Sequence, residues 1–399
     1  MRRFNVASDE EIKEGKTTDI YFVRTMEVLR ARGLDKTEVV AEVTAGSLPD
    51  GWRWGILCGI DEVIRLLEGR MVNVYALPEG SAFTPLDCRG IRVPVVIIEG
   101  PYGEFCELET PLLGFVCQAS GVATSAARIR KIAPDKLLIS FGIRRMHPAI
   151  SPMIDRAAYL GGFDGVSSLS GAKKIGKDPM GTMPHSLIIL FGNQVDAWKA
   201  FDEVIPEDVP RVALVDTYFD EKAEAVMAAE ALGKRLWGVR LDTPPSRKGN
   251  FAEILREVRW ELDCRGYRDV RIIVSGGLGE KEVKELSGAG ADGFGIGSWL
   301  SNAPTVNFAM DIVEIGGKPV AKRGKFGGKK DVWRCESCLN YLVTSAGKSE
   351  VKCPRCGKSM GPAMVQIIRE GKVVGGEEPV DAIRERVLAQ LEKLELVTA

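Results

Sequence analysis

Apolar runs alternate with stretches of helical periodicity between about Lys136 and Leu300. The runs end in Gly, Asp or Ser and predict strands at KLLISFG, FDGVSS, RVALVDT, LWGVRLD, VRIIVSGG and GFGIGS. The periodic stretches predict helices, among them EKAEAVMAAEAL, FAEILREVRWELDCRG and EKEVKELSGAG. This alternation indicates a parallel sheet wound into a barrel or an open layer. Because residues able to do chemistry follow the strand ends, the barrel is favoured.

The flanking segments have a different pattern. The first 115 residues are rich in Pro and Gly and alternate as antiparallel strands do, with a helix predicted at WGILCGIDEVIRLLEG. The segment QASGVATSAARIRKIAP predicts a helix that enters the barrel. After Asn302, FAMDIVEIGGKPVAKRGKFGGKKDVW and MVQIIREGKVVG predict strands that return to the first domain. The last segment, VDAIRERVLAQLEKLEL, predicts an amphipathic helix.

Four of the nine cysteines form two C-x-x-C pairs, which indicates a metal site in a reducing compartment. Four thiolates on two tight turns suit tetrahedral zinc and leave no open position, so structural zinc is favoured over catalytic zinc. The same ligands also accept iron. The upstream run KRGKFGGKK leaves open a nucleic-acid or protein contact, although a solvated hairpin is favoured. The four cysteines are Cys335, Cys338, Cys353 and Cys356.

The composition is that of a globular protein with more than one core. The chain has 399 residues, of which 45% are hydrophobic and 27% charged, and its formal net charge is −1. This balance excludes a general attraction to nucleic acid or to an anionic membrane. The opening MRRFNVASDEEIKEG lacks the apolar core of a secretory signal, and the longest apolar runs are too short to span a bilayer. We therefore expect a cytoplasmic protein.

These patterns predict an α/β fold class: an irregular α/β barrel plus an α+β sandwich domain built from N- and C-terminal segments, with a small zinc-ribbon subdomain. The expected parts are residues 1–115 for the N-terminal sandwich domain, 116–302 for the barrel, 303–330 for the return strands, 331–362 for the zinc ribbon and 363–399 for the C-terminal strand and helix.

Two glycine-rich turns follow the last two predicted barrel strands. VSGGLG contains Gly276 and Gly277, and GFGIGSWL contains Gly295, Gly297 and Ser298. Glycines at such turns let backbone N–H groups approach a phosphate, and the start of the following helix adds its dipole. Two such turns on successive final strands match the phosphate position of α/β barrels, so a phosphate monoester ligand is predicted.

Charged side chains follow three other strands. Asp216 and Asp242 are placed to hold ribose hydroxyls or a magnesium ion carried by a diphosphate, and Arg240 lies on the same face of its strand as Asp242. Helix capping is the alternative for either aspartate alone. Arg144 and Arg145 end a strand that we expect to be buried, which favours carboxylate or diphosphate binding.

One of only two histidines, His185, follows the turn GTMP. The turn, which contains Thr182, is predicted to set the imidazole at the start of a helix beside the same strand ends. A lone histidine is more often structural than catalytic. This setting favours a functional role.

Together these segments resemble nicotinate phosphoribosyltransferase, the type II phosphoribosyltransferase of NAD salvage, and more closely its short archaeal form with an appended zinc-binding domain. The resemblance covers most of the chain. It rests on motifs in the family's order: TTDIYF, FGIRR, GVSSLSGA, GTMPHS, VDTYFD, VRLDTP, VSGGLG and GIGSWL.

The resemblance implies a homodimer with shared active sites that makes nicotinate mononucleotide and diphosphate from nicotinate and 5-phosphoribosyl 1-diphosphate. It places nicotinate near Tyr21, with Arg144 facing the carboxylate, and the ribose and its magnesium diphosphate at the two aspartates and Arg240. His185 matches the histidine that ATP phosphorylates in the ATP-coupled members. The 5-phosphate is expected at Gly276, Gly277, Gly297 and Ser298.

Ser167 bears on which pyridine is used. Relatives that act on nicotinamide carry an acid at the matching position, so a neutral serine favours the free acid. Quinolinate or nicotinamide as the substrate remains an alternative, and so does a non-catalytic zinc-ribbon adaptor on a barrel scaffold.

Overall fold

A computed structural model describes residues 4–396, apart from the side chain of Asp50. The chain forms two compact units. The first lies within Met1–Ala127 and Pro304–Ala399, and the second is Arg128–Ala303. Strands and helices are numbered here in chain order through both units.

The first unit contains most of the strands and joins both ends of the chain. Its strands are β1 Glu38–Ser47, β2 Gly55–Ile56, β3 Asn73–Ala76, β4 Ala82–Phe83, β5 Pro94–Pro101, β12 Asn307–Ile315, β13 Lys318–Pro319, β14 Lys330–Arg334, β15 Tyr341–Ser345, β16 Gly361–Pro362, β17 Val365–Arg369 and β18 Lys372–Val373. Its helices are α1 Asp9–Lys13, α2 Ile20–Arg32, α3 Ile60–Leu67, α13 Val380–Leu391 and most of α4 Glu109–Ile132, whose last turn belongs to the second unit.

The main sheet of this unit has seven strands in the order β13-β12-β1-β5-β3-β17-β18, with antiparallel neighbours. Strand β12, from the C-terminal half, pairs with β1, and β17 pairs with β3. The predicted return of C-terminal strands to the first domain is therefore confirmed. One face of the sheet forms the core with apolar side chains of α3 and α4, such as Ile64 and Val116.

The helices of this unit differ in their bounds from two of the sequence expectations. The helix predicted from Trp54 begins only at Ile60, because residues 55 and 56 form β2 and Gly59 adopts a left-handed conformation with φ +98°. The boundary expected after residue 115 lies in helix α4, and the two compact units divide within the same helix, after Ala127. By length and composition alone, Cys106–Ile132 would suffice to cross a membrane, but 72% of the apolar 18-residue window within it is buried, as in a core helix.

The second unit alternates strands and helices as predicted. Its strands are β6 Leu137–Ser140, β7 Gly165–Val166, β8 Arg211–Leu214, β9 Leu236–Leu241, β10 Arg271–Ser275 and β11 Gly293–Ile296. Its helices are α5 Ser151–Leu160, α6 Leu169–Ile175, α7 His185–Phe191, α8 Gln194–Val204, α9 Glu221–Leu232, α10 Phe251–Cys264, α11 Glu280–Gly288 and α12 Ser298–Ser301.

The six strands of this unit form a parallel sheet in the order β7-β6-β11-β10-β9-β8. The order is cyclic in the chain, because the last strand, β11, pairs with the first, β6. The two edge strands, β7 and β8, are not hydrogen-bonded to each other, and the seam of the sheet lies between them. The segment before His185 bonds to one side of this seam, since Met180 N donates to Val166 O at 2.8 Å. The fold is the predicted irregular barrel with a sandwich built from both ends of the chain.

Candidate active site

Carboxylates follow two adjacent parallel strands, β8 and β9, and meet at their C-terminal edge. Asp216 lies two residues after β8, and Asp242 directly after β9. Asp216 Oδ2 accepts a hydrogen bond from the backbone N of Asp242 at 2.6 Å. Asp242 Oδ1 accepts one from Ser275 Oγ, at the end of β10, at 2.8 Å. Three neighbouring strand ends are thereby joined through the side chains of Asp216, Asp242 and Ser275.

His185 is the first residue of α7 and faces both carboxylates. Its Nε2 lies 3.7 Å from Asp216 Oδ1 and 3.8 Å from Asp242 Oδ2. Its Nδ1 lies 3.1 Å from Thr217 Oγ1, a hydrogen bond that holds the ring. The structure therefore places an imidazole beside two carboxylates, with 37% of its side chain open to solvent.

The loop that carries Asp216 and Thr217 is held by a buried carboxylate of α9. Glu224 accepts hydrogen bonds from the backbone N–H groups of Thr217, Tyr218 and Phe219 at 3.1, 2.8 and 2.9 Å. Sequence reasoning missed Thr217 and Glu224, because neither contact follows from a motif spacing. Thr217 directly follows the strand-end Asp216, which was its only sequence signal, whereas Glu224 lies in the next helix, α9.

Two buried polar atoms at this edge have no hydrogen-bond partner among the described residues: Asp216 Oδ1 and Arg240 Nε. Arg240 Nη2 does bond to Met183 O at 3.1 Å and lies 4.0 Å from Asp242 Oδ2. Buried polar groups in folded proteins are almost always paired, and each unpaired group costs free energy. Two such atoms at one strand-end edge are available to hydrogen-bond a polar ligand.

Burial also changes the acid–base properties of this edge. It raises the pKa of Asp216 to about 6, against the opposing charge of His185 and the hydrogen bond from Asp242. Burial lowers the pKa of Arg240, an effect that the charges of Asp242 and Asp216 oppose. For both the Asp216 carboxylate and the Arg240 guanidinium, the cost of burying the charge exceeds the stabilisation from neighbouring groups in the free protein.

This shift predicts that Asp216→Asn stabilises the fold. Since the folded protein binds a proton at Asp216 more tightly than the unfolded chain, the carboxylate costs stability above pH 6, and the cost fades as the pH falls toward 4. We expect the variant to gain roughly 1–3 kcal/mol in free energy of unfolding at pH 8, and progressively less as the pH approaches 4. Urea denaturation between pH 4 and pH 8 measures the free energy of unfolding of the variant and of the wild type. An Asp216→Asn protein that is no more stable than the wild type at pH 8 would contradict the raised pKa of Asp216.

The first glycine turn lies beside the same carboxylates. Gly276 and Gly277 have φ of +88° and +66°, and a Cβ on Gly276 would lie 3.0 Å from Asp242 Oδ1. Lys248 reaches this turn from the loop after Asp242, and its Nζ lies 2.5 Å from Gly276 O. Sequence reasoning missed Lys248, because the loop TPPSRKGN has no regular spacing.

The second glycine turn differs in part from the prediction. Gly297 and the exposed Ser298 do form the junction between β11 and α12. Gly295, however, lies inside β11, where a Cβ would meet the ring of Phe141 at 2.3 Å. Glycine at position 295 is therefore explained by close packing against Phe141 inside the barrel, and Gly295 is not part of the turn.

The remaining predicted residues are more dispersed. Strand β6 is largely buried, as expected, but it ends at Ser140. Arg144 and Arg145 lie in a short 3-10 turn after it and are exposed, so the prediction that they end the strand was wrong. Arg144 is nevertheless close enough for its charge to help lower the pKa of Arg240.

Half-buried Ser167 follows β7, and half-buried Thr182 lies in the segment before α7. Tyr21 belongs to the other unit, exposed on α2.

Comparisons with known proteins identify the family. Models of the quinolinate phosphoribosyl transferase N-terminal and C-terminal domains match residues 19–120 and 122–311. A nicotinate phosphoribosyltransferase of Mycobacterium tuberculosis is 30% identical over 351 residues, which cover 84% of this chain and 72% of that protein. This chain belongs to the nicotinate phosphoribosyltransferase family.

Solved structures agree with this assignment. A crystal structure of nicotinate-nucleotide pyrophosphorylase from Pyrococcus furiosus is 54% identical, with a TM-score of 0.95 over 99% of this chain and 100% of that chain. Human nicotinic acid phosphoribosyltransferase, at 21% identity, shares the fold with a TM-score of 0.74 over 95% of this chain and 94% of its own.

This member of the nicotinate phosphoribosyltransferase family also carries the predicted cysteine cluster. Its four sulfur atoms lie within 4.8 Å of one another, with Sγ–Sγ distances of 3.5 Å for Cys335–Cys356 and for Cys338–Cys353. Tetrahedral zinc with Zn–S bonds of about 2.3 Å needs sulfurs about 3.8 Å apart. The cluster therefore fits a tetrahedral metal ion. The cysteines are presented by the small sheet β15-β14-β16 and the turns that follow its strands.

The basic run KRGKFGGKK is largely neutralised by the main sheet. Lys322 and Lys325 pair with Asp311 at 2.6 and 2.5 Å, and Lys330 pairs with buried Glu42 at 2.8 Å. Lys329 pairs with Glu99. These contacts attach the run to the sandwich of this nicotinate phosphoribosyltransferase family member, and they weaken the alternative of a nucleic-acid contact.

Proposed function

We propose that this protein forms nicotinate mononucleotide and diphosphate from nicotinate and 5-phosphoribosyl 1-diphosphate, as a step of NAD salvage in the cytoplasm. The observation that carries the proposal is a pair of buried atoms, Asp216 Oδ1 and Arg240 Nε, that have no hydrogen-bond partner among the described residues. They lie at the strand-end edge with Asp242 and His185. Family membership, through the relatives named above, supplies the reaction class.

The roles follow from the chemistry of each group. Asp216 and Asp242 offer carboxylate oxygens of the kind that Mg²⁺ prefers, and the unpartnered Oδ1 fits such a ligand. Bound with the diphosphate, Mg²⁺ would neutralise charge on the leaving group. Arg240 adds a fixed positive charge close to the diphosphate leaving group. The 5-phosphate is assigned to the backbone of Gly276 and Gly277 and to the junction at Gly297 and Ser298.

The reaction itself demands alignment more than proton transfer. The ring nitrogen of nicotinate displaces diphosphate from C1 of the ribose, through a transition state with oxocarbenium character. The protein therefore contributes by holding nucleophile and leaving group in line and by absorbing the charge that builds on diphosphate. We assign the nicotinate carboxylate to Arg144, with Arg145, Tyr21, Thr182 and neutral Ser167 around the pyridine.

The finer assignments are also proposals. The match to the Pyrococcus furiosus chain over its full length supports a short archaeal form with a structural zinc ribbon, and the family resemblance supports a homodimer with shared active sites. Quinolinate, the alternative substrate, carries a second carboxylate, and binding it would require further cationic side chains at the site.

A comparison of three pyridines tests the proposed function. Purified protein with Mg²⁺ and phosphoribosyl diphosphate is incubated with nicotinate, nicotinamide or quinolinate, and the products are separated by chromatography. We expect nicotinate mononucleotide and an equal amount of diphosphate from nicotinate only. Turnover confined to either other pyridine, or absent with all three, would overturn the proposal.

ATP coupling through His185 makes a separate prediction. We infer that the imidazole of His185, which is 37% exposed and lies beside two carboxylates, accepts a phosphoryl group from ATP, so ATP is expected to stimulate turnover severalfold. His185→Ala should lose the stimulation, whereas His147→Ala, at the other and exposed histidine, should keep it. Initial rates with and without ATP measure both. Equal stimulation of the wild type and His185→Ala would contradict the coupling role.

A further inference from the structure

The turn between β10 and α11 presents backbone donors that the protein leaves unused. Gly276 and Gly277 both have positive φ, which brings successive N–H groups to one side of the chain. Within the described residues, the N–H groups of Gly277 and Leu278 donate to no protein acceptor. The next one, from Gly279, donates to Glu282 Oε2 at 2.9 Å and closes the turn. This turn is shaped to receive an anion.

Lys248 brings a positive charge to the same turn. Its ammonium group bonds to Gly276 O at 2.5 Å and lies 5.2 Å from the ring centroid of Phe251, the first residue of α10. An ammonium group has three N–H donors, and this bond uses one of them. The remaining donors are free to take phosphate oxygens without breaking the contact that holds the side chain.

The surroundings favour an anion as the missing partner. Burial lowers the pKa of Lys248, against the charges of Asp242 and Glu282, so the ammonium group has lost part of its hydration. A partly desolvated cation gains more from a bound anion than a surface lysine does. Lys284, exposed on α11, lacks this setting and offers a comparison.

We propose that Lys248 is a binding residue for the phosphate monoester of the substrate, acting together with the unused N–H groups of the Gly276–Gly277 turn. The identity of the ligand as a ribose 5-phosphate rests on the proposed function. A phosphate group also occurs at the other end of the substrate, as the diphosphate. The geometry assigns Lys248 to the monoester end, because its ammonium group is anchored on the glycine turn.

Calorimetric binding separates these possibilities. Ribose 5-phosphate and inorganic diphosphate with Mg²⁺ are titrated into the wild type, Lys248→Met and Lys284→Met. We expect Lys248→Met to weaken ribose 5-phosphate binding by about tenfold to a hundredfold, the scale of a charge-assisted hydrogen bond. Diphosphate binding should change less than threefold, and Lys284→Met should match the wild type. Unchanged ribose 5-phosphate binding, or a loss confined to diphosphate, would overturn the assignment.

Kinetics distinguishes a failure of this inference from a failure of the proposed function. If the wild type makes nicotinate mononucleotide, Lys248→Met should raise KM for phosphoribosyl diphosphate by at least tenfold with kcat changed less than threefold. Lys248→Arg, which keeps the charge, should recover part of the loss. A wild type without turnover that still loses ribose 5-phosphate binding in Lys248→Met would remove the proposed reaction and leave the phosphate site standing.

Discussion

Replacing Asp242 with asparagine is expected to lower kcat/KM for nicotinate mononucleotide formation by roughly 10²–10³-fold, the effect of removing one preorganised electrostatic contact. The amide keeps the shape of the side chain and can still accept the bond from Ser275 Oγ. It removes the negative charge that faces His185 Nε2 and the charge offered to a magnesium diphosphate. Steady-state kinetics with saturating Mg²⁺ measures the change.

Asp196→Asn is the matched control, because this aspartate is exposed on α8. It should retain wild-type kinetics. Circular dichroism and thermal unfolding check that Asp242→Asn is folded. A folded Asp242→Asn protein with at least a third of wild-type activity would show that the carboxylate has no part in the reaction.

Removing the metal from the cysteine cluster is expected to have the largest effect on stability. Structural zinc contributes about 10–16 kcal/mol of binding free energy in small zinc domains, and that energy is available only when the site is folded. The ribbon is also tied to the sandwich, through Tyr341 Oη to Ala82 O at 2.8 Å and Val343 N to Asp87 Oδ2 at 3.0 Å. We expect Cys353→Ser to lose the metal and to unfold at a clearly lower temperature.

Elemental analysis and differential scanning calorimetry test this directly. The wild type should contain one zinc per chain, and Cys264→Ser, an exposed cysteine outside the cluster, should keep both metal and transition temperature. An unchanged transition in metal-free Cys353→Ser would contradict a structural role for the site. A wild type that contains iron would keep the structural role and change the metal.

The sequence predicted the parts of the fold that depend on local pattern. Apolar runs located the barrel strands, and the GTMP turn located the start of α7 at His185. The two C-x-x-C turns also follow from spacing. Leu339 and Gly357 occupy the same turn position, with φ of +58° and +74°, and their N–H groups donate to Cys335 O and Cys353 O. Local patterns succeed where a few neighbouring residues determine the geometry.

Features that depend on distant contacts were missed or misread. The position predicted for Arg144, at the end of a buried strand, was wrong because β6 ends at Ser140 and Arg144 lies in the 3-10 turn Ile143–Arg145. Gly295 resembles its neighbour Gly297 in sequence, yet the ring of Phe141, on another strand connection, decides its role. Glu224 and Lys248 reach the site from α9 and from a loop, and only the folded chain brings them to the strand ends.

A crystal structure of the protein with phosphoribosyl diphosphate and Mg²⁺ decides whether the C-terminal edge of the parallel sheet is the active site, because it shows where the substrate binds. We expect the 5-phosphate at Gly276, Gly277 and Lys248. The magnesium diphosphate and the ribose hydroxyls should lie at Asp216, Arg240 and Asp242. Density for the substrate away from the C-terminal edge of β8, β9 and β10, with these side chains unliganded, would contradict this expectation.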